Sequence, residues 1–111
     1  MIKDEKIYIG IDIGGTKCAV VRGTMCDGEI SVLEKVKFPT ADCGATLSRI
    51  LAEVEKMMPA DAIGVSSGGP LDEERGVIMS PPNLPGWDNV PIVKMLTERF
   101  NIPAFLQNSY I

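Results

Sequence analysis

An acid, two glycines, a hydroxyl and a base stand together in Asp12-Ile13-Gly14-Gly15-Thr16-Lys17, directly after the apolar Ile7, Ile9 and Ile11. These residue types at this spacing suit the phosphates of a nucleotide. The glycines let the backbone turn sharply without a side chain blocking an anion. The turn amides can then converge on it, each charge-assisted bond being worth about 1.5–3 kcal/mol, and the Thr16 hydroxyl adds a further donor. Gly14, Gly15, Thr16 and Lys17 are therefore the candidate cofactor-binding residues. Asp12, at the strand end, is the candidate metal residue, because magnesium keeps several waters and takes few protein ligands. An ordinary hairpin accounts for the glycine pair equally well on local grounds.

Two other phosphate loops are absent. The Walker pattern Gly-x-x-x-x-Gly-Lys-Ser/Thr does not occur, nor does Gly-x-Gly-x-x-Gly opening a helix. The residues after Lys17 favour a strand, so any phosphate here meets a β-turn and not a helix dipole.

The elements that must position this turn follow from periodicity. Residues 7–12, 17–23 and 29–38 read as strands of an antiparallel meander, with Asp27-Gly28 as the second turn and Ile30, Val32, Val36 and Phe38 on one parity. From 45 to 58 the apolar Leu47, Ile50, Leu51, Val54, Met57 and Met58 share one helical face, and Pro59 ends it. A short strand at 62–66 enters Ser67-Gly68-Gly69-Pro70, which is either a second ligand loop or a chain reversal. The segment Pro81 to Trp87 reads as a rigid turn that bears the only tryptophan, or more plainly as a packed loop. A second helix follows Pro91, with Ile92, Leu96 and Phe100 in register and Asn101 as its C-terminal cap, and a strand returns over 103–106. The expected fold is α/β: a mixed five-stranded sheet, the meander plus parallel strands, covered by helices.

With 111 residues, 45% of them hydrophobic, the chain suits one domain with one core. A net charge of -4 gives no basic field for nucleic acid or an anionic membrane, so neither is expected as a partner. Cys18, Cys26 and Cys43 form no C-x-x-C pair, which suggests neither a disulfide framework nor a zinc site and fits a reducing cytoplasm. The charged N-terminus leads straight into a strand, without an apolar signal segment.

Taken together, three stretches resemble the N-terminal lobe of the ROK family of sugar kinases and repressors, which have the actin-like ATPase fold. Asp12-Ile13-Gly14-Gly15-Thr16-Lys17 is similar to the family's first phosphate motif. Gly64 to Asp72 resembles its second glycine loop, and Pro82-Asn83-Leu84-Pro85-Gly86-Trp87 resembles the segment before its second helix. The likeness runs from Ile7 to Asn108 and implies ATP and Mg2+ as cofactors, with nucleotide phosphates and a hexose or aminosugar as partners. It also implies Gly69, Asn83 and Asn108 as sugar-contacting residues.

The same resemblance implies a departure. In the family an aspartate follows the asparagine equivalent to Asn108 and accepts the proton of the attacking sugar hydroxyl. Here Ser109 stands in that place, so no catalytic residue is assigned, and the adenine-holding lobe would lie beyond Ile111. The expectation is a truncated lobe, 1–111, inactive alone, that reads as a shortened or altered gene product. A sugar-sensing repressor of the same family is the alternative, although Asp12 stands too early for a preceding helix-turn-helix; a non-catalytic binding module is the other. A lobe without its partner exposes apolar surface, which makes a homo-oligomer an expectation.

Overall fold

Strict alternation in Lys6–Ile13 (β1) writes the centre of the molecule: Ile9, Ile11 and Ile13 point to one side and are buried, while Tyr8, Gly10 and Asp12 point to the other. The computed structural model describes residues 6–109. The elements follow in the order β1, β2 (Lys17–Cys26), β3 (Glu29–Pro39), α1 (Cys43–Lys56), β4 (Ala62–Ser67), β5 (Leu71–Asp72), β6 (Val77–Ile78), α2 (Ile92–Phe100) and β7 (Ala104–Asn108). The main sheet has the order β3-β2-β1-β4-β7, antiparallel on the meander side and parallel between β1, β4 and β7. This is the mixed five-stranded sheet that the sequence predicts.

Both helices lie against the Ile9, Ile11 and Ile13 face. Ile50, Val54 and Met57 of the first helical segment and Ile92 and Leu96 of the second join Val20, Phe38, Ile63, Val65 and Leu106 in one buried cluster. Each such side chain contributes about 1.5–3 kcal/mol on leaving water. The helical cover is therefore one-sided. Tyr8, Met25 and Phe105 stay exposed on the other face, over a floor kept low by Gly10 and Gly64.

Helix α1 starts at Cys43, two residues earlier than the apolar pattern shows, because Asp42 is its cap: the carboxylate accepts the Ala45 N–H at 2.9 Å. At the other end Arg22 donates from Nε to the Met57 carbonyl at 3.0 Å, satisfying a helix-terminal acceptor. Asn101 does close α2, in the left-handed conformation (φ 58°), with its N–H on the Thr97 carbonyl. On β3 the expected single parity fails. The pairing slips between Arg22 and Gly23, so Leu33 is an extra residue on β3; Val36 and Phe38 then face the helices while Ile30 (72% exposed) and Val32 (60% exposed) face away.

A two-stranded ribbon of β5 and β6, absent from the periodicity reading, packs its Gly76 turn against α2. Gly76 has φ +69°, and a Cβ there would lie 2.3 Å from Val93 Cβ. Gly76→Ala should therefore lose more stability than Asp42→Ala, whose missing cap costs about 1 kcal/mol. Overpacking of about 1–3 kcal/mol adds to the left-handed strain. Urea unfolding followed by Trp87 fluorescence measures both; a Gly76→Ala chain as stable as the parent would contradict this packing.

Candidate functional site

Parallel pairing of β1, β4 and β7 delivers three chain segments to one edge of the sheet. The Gly14–Lys17 turn leaves β1, Gly68-Gly69-Pro70 leaves β4, and Asn108-Ser109 ends β7. The Pro81 to Trp87 loop reaches the same edge from β6. It is sunk in the core by Leu84 at its middle and Trp87 at its end, each 1% exposed, and Leu84 N–H and Trp87 N–H bond back within the loop to Pro81 and Leu84 carbonyls. Asn83 is left exposed at its tip.

Two glycine–asparagine contacts tie these segments. A Cβ on Gly15 would lie 2.7 Å from the Asn83 carbonyl oxygen and 3.0 Å from Asn83 Cβ, so the turn and the loop touch only because Gly15 has no side chain. A Cβ on Gly69 would likewise lie 2.9 Å from Asn108 Nδ2. The two contacts are linked through the ribbon, since Met79 N–H donates to the Pro70 carbonyl at 3.0 Å. The candidate phosphate residue Gly15 and the candidate sugar residue Asn83 thus meet directly, as do Gly69 and Asn108.

The turn itself is held from behind by a residue the sequence reading did not single out. Thr40 donates its hydroxyl to the Gly14 carbonyl at 2.7 Å and its N–H to the Thr16 carbonyl at 2.9 Å. Glu73 was missed as well: its carboxylate accepts the Asn108 N–H at 3.0 Å, while Ser109 N–H donates to the Ser67 carbonyl at 3.0 Å. Spacing could reveal neither, because each partner comes from more than twenty residues away.

Asp12 lies on the open face, beside Ala19 and Ser66, with Gln107 next in the row. It is exposed and, among the described residues, its carboxylate makes no hydrogen bond or ion pair. These residues border an open groove of about 480 Å³. One unengaged carboxylate with neutral oxygen neighbours fits a cation that keeps most of its water, as magnesium does. Among the described residues no cluster of three or more His, Cys, Asp or Glu could hold a metal by itself. Lys17 is exposed beside the turn and Ser109 is exposed at the end of β7. Cys43 does not suggest a nucleophile: burial, then the Asp42 and Asp88 carboxylates, push its thiol up, away from the reactive thiolate.

This sheet order, with two glycine loops at the ends of its parallel strands, defines the N-terminal lobe of the actin-like ATPase fold. The ROK family model matches residues 8–110, and the chain belongs to that family. It is 35% identical over 107 residues to a glucokinase of Thermotoga maritima, covering 90% of this chain and 32% of that protein. Against a fructokinase of Streptococcus mutans it is 35% identical over 108 residues, covering 91% and 35%. A ROK family glucokinase from Streptomyces griseus, solved in complex with glucose and AMPPNP, superposes with a TM-score of 0.73 at 26% identity over 92% of this chain and 33% of that one. The chain spans about a third of the length of these relatives.

The Gly15–Asn83 contact predicts a local steric effect. Gly15→Ala should lose about 1–3 kcal/mol, since a Cβ must push backbone from backbone. Gly64→Ala, where nothing lies within 4 Å, should be neutral or stabilising. Equal unfolding midpoints for the two variants would place the turn away from the Asn83 loop.

Proposed function

We propose that this chain is the phosphate- and sugar-contacting N-terminal lobe of an ATP-dependent sugar kinase. The observation that carries the reading is the pair of glycine–asparagine contacts, which brings a candidate phosphate turn and candidate hydroxyl-orienting amides to one edge of one sheet. The glucokinase and fructokinase relatives, and the nucleotide analogue and glucose held by a relative of the same fold, support the chemistry.

In this reading the amides of Gly15 and Thr16 and the Thr16 hydroxyl donate to phosphate oxygens, and Lys17 adds positive charge beside them. Asp12 would hold the hydrated magnesium, which when bound offsets phosphate charge. The Asn83 and Asn108 amides orient a sugar hydroxyl, and Gly69, whose missing side chain admits the Asn108 amide, lies beside it. Two named kinase activities among the relatives differ in sugar, and these three residues alone do not discriminate between hexoses or aminosugars.

What the chain does not supply is a base. Ser109 follows Asn108, and a serine hydroxyl without a basic partner stays protonated at neutral pH, so it cannot accept the proton of the attacking hydroxyl. A positioned base is worth about 10²–10⁴ in rate. The purified chain should show no sugar-dependent ATP consumption above background with common hexoses and aminosugars. Robust turnover would contradict the assignment of Ser109.

A chimera isolates the single carboxylate. With the C-terminal lobe of a related kinase grafted after position 109, Ser109→Asp should be faster than the serine form by about 10²–10⁴. Equal rates in two folded, active chimeras would show that the base lies elsewhere and that Asn108 does not align with the sugar-contacting asparagine.

A further inference from the structure

The hairpin between β1 and β2 lacks a bond that an ordinary hairpin makes. Gly14 N–H donates to the Lys17 carbonyl at 3.1 Å, but the return bond from Lys17 N–H to the Gly14 carbonyl is not formed. The Gly14 carbonyl is instead taken by the Thr40 hydroxyl at 2.7 Å. We propose that Thr40 is a positioning residue that keeps the Gly14–Lys17 turn open, so that its amides face outward to an anion of the phosphate class. This rests on the reading of the turn as a nucleotide-phosphate contact.

Peptide geometry carries the argument. In a planar trans peptide the C=O and the following N–H point in opposite directions. Thr40 draws the Gly14 carbonyl with its hydroxyl and the Thr16 carbonyl with its N–H, so the N–H groups of Gly15 and Lys17 are turned away from it. Among the described residues neither the Gly15 nor the Thr16 amide has a hydrogen-bond partner. A turn closed by the usual bond would consume the Lys17 N–H internally.

Thr40 is itself fixed. The next residue, Ala41, donates its N–H to Thr46 Oγ1 at 2.8 Å, and Asp42 caps α1, so the hydroxyl is carried on the start of a helix. Cys18 Sγ lies 3.2 Å from Thr40 Oγ1. Because that hydroxyl already donates to Gly14, the buried thiol donates to it, and the rotor is held in one orientation. Substitution by valine keeps the shape and removes the hydroxyl.

The test compares the 15N-labelled chain with T40V and T40S, without ligand and with MgATP. In the parent and T40S the Lys17 amide should exchange freely, and MgATP should shift the Gly15, Thr16 and Lys17 amide resonances. In T40V, Lys17 exchange should slow at least tenfold as the hairpin closes, and at least tenfold more MgATP should be needed for the same shifts. Should T40V not fold, T40A removes the same hydroxyl and gives the same readouts. Unchanged Lys17 exchange and unchanged MgATP dependence in a folded hydroxyl-free variant overturns the proposal, since a staple with a purely structural role would lower stability alone. If MgATP shifts no turn amide in the parent, the phosphate reading fails; hydroxyl-dependent Lys17 exchange then still upholds Thr40 as the residue that opens the turn.

Discussion

Everything at the candidate site depends on the shared direction of β1, β4 and β7. Parallel strands end at the same edge, and a chain leaving each must turn there, so segments far apart in sequence are placed side by side without any contact having to draw them together. The distances that remain are closed by omission of side chains. Gly15 and Gly69 allow approaches that any Cβ would block, and the groups approached are the two asparagines whose amides can serve a hydroxyl. Strand direction sets the place, and the glycines set the spacing.

The two faces of the sheet share the work unevenly. Ile9, Ile11 and Ile13 fasten β1 to both helices, which makes the scaffold rigid where the loops depart. The opposite face combines exposed Tyr8, Met25, Ile30 and Phe105 with a polar row at its far end, where Asp12, Ser66 and Gln107 stand in register. The relatives are about three times as long as this chain, whose residues 6–109 leave this apolar area exposed. In the proposed reading the sheet edge presents the donors for one side of a ligand.

Much of this was legible in the sequence because the signals were local. Alternating isoleucines place β1, the four-residue repeat of Ile92, Leu96 and Phe100 places α2, and Asn101 takes the left-handed cap that such a residue tolerates. What escaped depends on partners distant in the chain. The extra Leu33 on β3 reverses the exposure of Ile30 and Val32, and nothing in an alternating pattern marks an inserted residue. The β5–β6 ribbon is two residues per strand, too short to have a period. Thr40 and Glu73 look like ordinary polar residues until the fold brings Gly14 and Asn108 to them. Gly15 stands out by its place in the glycine turn, and Gly69, Asn83 and Asn108 by resemblance; the structure adds a steric reason for the two glycines.

The most direct test of the central claim is a crystal structure of the chain grown or soaked with a non-hydrolysable ATP analogue and magnesium. Phosphate density is expected against the Gly14-Gly15-Thr16 turn, within hydrogen-bond distance of the Gly15 and Thr16 amides, with the metal on the Asp12 side of the sheet edge. Phosphate density confined to another part of the surface, with the turn empty at full occupancy of the analogue elsewhere, would contradict it.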